Sequence, residues 1–130
     1  RAIATSEVRA MSGSSPASIV RTFVEYVNEG DLAGIASLLA ERVKFTDIQG
    51  RVYREKEFMA DYLSNFPDYQ ILVHHILQGG QGAAIVGRTA GSHVPPEIEE
   101  REILVWTAEV RDGLITEWRI YSDLEYAARS

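Results

Sequence analysis

A chain of 130 residues suits one domain, and 45% apolar with 25% charged residues excludes wholesale disorder. The absence of cysteine excludes disulfides, thiolate metal sites and cysteine nucleophiles. Thirteen Lys and Arg against nineteen Asp and Glu leave a net charge of −6, and no basic run offsets it, which argues against nucleic acid and anionic membrane as partners.

Residues 1–15 read as a flexible lead-in without the apolar core of a signal peptide, and residues 16–130 as a single domain. Ser15-Pro16 starts a helix, with Ile19, Val20, Phe23, Val24 and Val27 on one face. Asn28-Glu29-Gly30 ends it. Asp31 caps a second helix carrying Leu32, Ile35, Leu38 and Leu39. Residues 42–47 alternate as a short strand, and Gln49-Gly50 turns the chain. A third helix is expected from about Arg54 to Asn65, with Phe58, Met59, Tyr62 and Phe66 near one side, until Pro67 stops it.

The second half changes character. Residues 68–78, 82–92, 99–111 and 114–122 read as four long strands, joined by turns such as Asp112-Gly113 and by a loop around Pro95-Pro96. The uncharged run from Tyr69 to Gly87 is broken by Gln78-Gly79-Gly80-Gln81-Gly82, so it reads as a hairpin and not a membrane span. Helices followed by an antiparallel meander define an α+β fold. A soluble cytoplasmic protein is the default expectation. The acidic group Glu97, Glu99, Glu100 and Glu102 reads as a solvated strand edge.

Four stretches in order resemble the NTF2-like superfamily, in its SnoaL-like polyketide cyclase and ketosteroid isomerase branch. They are Phe23 to Leu32, Val43 to Gly50, Phe66-Pro67-Asp68, and Asp112 to Trp118 followed by Asp123. The resemblance implies a cone-shaped α+β barrel, three helices on a curved sheet, enclosing a hydrophobic cavity. It implies a homodimer and a cofactor-independent proton transfer, aldol cyclisation or isomerisation on an apolar carbonyl compound. Asp123 matches the acid/base position of the cyclases, and Asp47 that of the isomerase base. Phe23, Tyr62, Phe66, Trp106, Trp118, Tyr121 and His93 are then candidates for the substrate-binding wall.

The departures from the family are informative. The isomerases' first-helix tyrosine position falls at Phe23, and their acidic oxyanion donor falls near Trp106 or Thr107. No Arg-x-Asp pair of the epoxide-hydrolase branch occurs. A non-catalytic binding or dimeric interaction module on the same fold is therefore the alternative. For both aspartates, turn or helix capping is the competing role; Asp123 would cap a short helix over 124–129. His74 and His75 adjoin on a strand, so alternation sends them to opposite faces and prevents shared metal ligation. With no Cys, no His-x-x-His and no HExxH, neither metal nor cofactor is expected.

Overall fold

The computed structural model describes residues 15–124. Helix α1, Pro16–Glu29, begins where Ser15 accepts a hydrogen bond from the Ser18 N–H through its side chain. Its buried residues are Ile19, Val20, Phe23, Val24 and Val27, the face expected from the spacing. Asp31 caps α2, Leu32–Ser37, by accepting from the Gly34 N–H at 2.9 Å. This helix is shorter than expected. Leu39 already belongs to strand β1, Leu39–Thr46.

Strand β2, Val52–Tyr53, returns antiparallel to the end of β1. Helix α3 runs Phe58–Asn65, starting a turn later than expected. Strands β3, Gln70–Gly79, and β4, Gly82–Ala90, form the hairpin around the glycine cluster. A single helical turn, α4, Pro96–Glu99, precedes β5, Leu104–Arg111, and β6, Leu114–Ser122. The six strands lie in the order β2-β1-β6-β5-β4-β3. All neighbours are antiparallel except β1 and β6, which are parallel. Among the described residues no helix is long and apolar enough to cross a membrane.

The sheet's pleat decides what is buried. In β4 the residues Ala83, Ile85, Gly87 and Thr89 are buried, and in β5 Leu104, Trp106, Ala108 and Val110. These pack with the α1 face into one core, whose largest fully buried side chains include Trp106 and Phe23. Each such aromatic contributes roughly 1.5–3 kcal/mol by leaving water.

Three expectations are corrected here. Glu99 and Glu102 are not a solvated edge, being 4% and 2% exposed. Strand β5 begins only at Leu104, because Pro96 to Arg101 form a helical turn and a following turn instead of extending. His74 and His75 do not alternate: a bulge between Val73 and His75 interrupts the pleat, and both are exposed. The expected helix over 124–129 and the lead-in over 1–14 lie outside the described residues.

Candidate functional site

A pocket of about 210 Å³ opens between the end of β1, helix α3 and the inner face of β5 and β6. Most of its wall is apolar: Phe45, Phe58, Met59, Trp106, Trp118 and Ile120. The sheet supplies these by register. Phe45 stands beside Trp118 across the parallel β1–β6 pair, and Trp106 beside Ile120 across β5–β6. Phe58 stacks on Tyr53 at 4.6 Å and tilts against Phe45 at 5.1 Å, which fixes the α3 side of the wall.

The polar groups on the wall belong to Thr46, Asp47, Gln49, Tyr62, Tyr69 and His93. Asp47 follows directly on β1 and lines the pocket. Its Oδ1 accepts from the N–H groups of Gln49 and Arg51, both at 2.9 Å, and its Oδ2 accepts from the Tyr53 hydroxyl at 3.2 Å. The carboxylate therefore both ties the turn and stands at the pocket edge in one fixed orientation. Capping and exposure to the pocket coexist at this residue.

Across the pocket lie Tyr62, Tyr69 and His93. The Tyr62 hydroxyl is 2.8 Å from His93 Nδ1 and accepts from the His93 backbone N–H at 3.1 Å. Burial pushes Tyr62 above the usual phenol range; the His93 N–H opposes this, and the nearby Glu99 charge adds to it. Tyr69 is only 7% exposed and meets Tyr62 edge-on at 5.0 Å. Burial again pushes its hydroxyl well up, with Tyr62 and Glu99 as further causes. Both phenols therefore stay protonated and able to donate around neutral pH.

Of the residues singled out in the sequence, Asp47, Tyr62, His93, Trp106 and Trp118 converge on the pocket. The others do not line it. Phe23 lies behind the wall, fully buried and tilted against Trp118 at 4.9 Å. Phe66 supports Tyr62 and His93 from the side, at 4.8 and 6.0 Å. Tyr121 points away from the core: it is 43% exposed, with the Arg119 guanidinium 4.8 Å over its ring.

Asp123 is also off the pocket wall. It is exposed, its Oδ1 accepts from the Ile103 N–H at 2.8 Å, and its own N–H donates to the Ile103 carbonyl. Those two bonds splice the end of β6 to the entry of β5. Asp123 lies just past the end of β6, and this splice sets its place. Tyr69, Phe45 and Phe58 are pocket residues that the sequence reading did not single out. The step Phe66-Pro67-Asp68, which ends α3 and leads straight into Tyr69, was the available signal. Among the described residues no three His, Asp or Glu side chains gather where they could hold a metal ion.

The architecture is that of the NTF2-like and cystatin-like folds. An NTF2-like protein from Burkholderia thailandensis superposes with a TM-score of 0.68 at 17% identity, over 89% of this chain and 98% of that one. A proposed ketosteroid isomerase from Kribbella flavida gives 0.68 at 22% identity, over 84% and 78%. IdmH, a proposed polyketide cyclase from Streptomyces antibioticus, gives 0.63 at 26% identity, over 83% and 91%. The SnoaL-like domain family matches residues 20–118, and the chain belongs to that family. No curated protein matches the sequence.

Proposed function

We propose that this SnoaL-like chain binds a small apolar carbonyl compound in the pocket and moves a proton on it without a cofactor. The observation that carries this reading is Asp47, a carboxylate of fixed orientation on the edge of a mostly apolar wall. Asp47 takes a proton from the carbon next to the carbonyl, as a general base. The charge that develops on the carbonyl oxygen needs a donor. The isomerase donor positions hold Phe23 and Trp106 or Thr107 here, so the role passes to the hydroxyl of Tyr69 and to His93 on the opposite wall.

The likeness to a proposed cyclase and a proposed isomerase agrees with this class of reaction. The volume narrows the substrate. About 210 Å³ is below the roughly 300–1,000 Å³ that holds drug-sized ligands. The substrate is a compact one-ring compound, or the reactive end of a longer one. The test is uptake of solvent deuterium at the α-carbon of small apolar ketones and 1,3-diketones. Exchange above the buffer rate supports the reading, and none across the series contradicts it.

A second reading, binding without turnover, is favoured by one observation. The Asp47 carboxylate already accepts three hydrogen bonds from its own turn and Tyr53. Ligand-induced thermal stabilisation that persists in Asp47→Asn, with no α-exchange in either protein, selects it.

For the assembly, we propose a homodimer through the sheet face turned away from the helices. Val86, Val105 and Tyr121 stand side by side there and are half-buried or exposed, which supports such pairing.

A further inference from the structure

The acidic stretch after Pro95-Pro96 sends one carboxylate inward, and what it touches is one step from the pocket. Glu99 is 4% exposed, and its Oε2 accepts from Thr89 Oγ1 at 3.0 Å and from the Ser92 N–H at 3.0 Å. Among the described residues the ion pairs are Lys44–Glu117 and Lys56–Glu41, and neither includes Glu99. A carboxylate removed from water depends on such donors. Its bonds bind the end of β4 to the segment Gly91-Ser92-His93.

That segment has a second anchor. Gly91 has φ +71°, and a Cβ there would lie 2.3 Å from the Asp68 carbonyl oxygen, so the chain is pressed onto the start of β3. His93 comes next, and Tyr62 holds it at two points. The backbone N–H of His93 donates to the Tyr62 oxygen, and His93 Nδ1 is 2.8 Å from the same oxygen. The N–H bond occupies one lone pair of the hydroxyl. That leaves the hydroxyl's single hydrogen free to go to Nδ1, which accepts it when the neutral ring carries its own hydrogen on Nε2.

We propose that Glu99 is a positioning residue which, through Ser92 and together with Tyr62, holds His93 as its neutral Nε2–H tautomer, so that the ring offers an N–H donor to a carbonyl oxygen in the pocket. The ligand class rests on the proposed function. The tautomer does not, and it is read without substrate.

The test is long-range ¹H–¹⁵N NMR of the His93 ring at mildly alkaline pH, where an ordinary imidazole is neutral. The wild type is expected to show a single tautomer with the hydrogen on Nε2. Tyr62→Phe and Glu99→Ala are expected to lose that pattern and give mixed tautomers. Glu99→Gln keeps an oxygen acceptor for Thr89 and Ser92 and is expected to restore it. A wild-type ring protonated on Nδ1 overturns the proposal. So does an unchanged pattern in Tyr62→Phe, or a folded Glu99→Gln that behaves like a loss. Should Glu99→Ala not fold, the wild-type, Tyr62→Phe and Glu99→Gln spectra decide the matter. Failure of α-exchange with the tautomer intact rejects the enzyme reading alone.

Discussion

Asn28 shows how much one side chain can organise in this domain. Its Oδ1 accepts from the Ile71 N–H at 2.7 Å, and its Nδ2 donates to the Ile71 carbonyl at 2.9 Å. Gln70 Nε2 returns a bond to the Asn28 carbonyl at 2.9 Å. The end of α1 is thereby stitched to the start of β3, directly after Tyr69. Asn28→Ala leaves both Ile71 groups unpaired, and a loss of about 1–3 kcal/mol in urea unfolding is expected. The asparagine was visible in the sequence as part of a helix ending, but its partner 43 residues away was not. Tyr69 carries a second prediction. Its folded hydroxyl ionises above the ordinary 10.0, so the unfolded chain loses that proton first. Stability is therefore complete below about pH 10 and falls as pH rises further, by at most about 1.4 kcal/mol per pH unit for this group. Unfolding midpoints near pH 8 and about pH 11 check this, and Tyr69→Phe should show the smaller difference.

At the scale of elements, the β3–β4 hairpin depends on close approach. A Cβ on Gly87 would lie 2.1 Å from the Leu72 carbonyl oxygen, beside the bulge between Val73 and His75. Gly87→Ala should cost roughly 1–3 kcal/mol, read as a lower melting temperature, because backbone must move to admit the methyl group. The four long strands and α1 were legible because alternation and a 3.6-residue face recur over many positions. Strand β2 was not, since two residues carry no period. Helix α4 was not, since Pro96–Glu99 is a single turn held by its surroundings and not by its own propensity. The same short turn is what takes Glu99 inward. A run of four glutamates reads as surface in sequence, and only the tertiary partners Thr89, Ser92 and Ser122 make two of them buried acceptors.

At the scale of the molecule, the two faces of the sheet have different surroundings. One face carries the core and the pocket. The other carries Val86, Val105 and Tyr121 and is expected to meet a second copy. Light scattering after gel filtration should give twice the chain mass, and Val105→Lys should give the monomer with its far-UV spectrum unchanged; a monomeric wild type contradicts the pairing. The candidate site was half legible. Asp47 and Trp118 could be named from motif order, because the turn after β1 and the closing hairpin are local, and Trp106 as an aromatic on a long predicted strand. Asp123 could not be placed, since its distance from the pocket depends on how β6 meets the entry to β5. The central claim is that Asp47 acts as a base on a ligand held in this pocket. Its most direct test compares α-carbon deuterium exchange in the wild type and Asp47→Asn, with ligand binding followed by quenching of Trp106 and Trp118. Asparagine keeps the oxygen that accepts from Gln49 and Arg51, so the turn survives. Retained binding with exchange slower by about 10²–10⁴-fold is expected. Equal exchange in both proteins would contradict it.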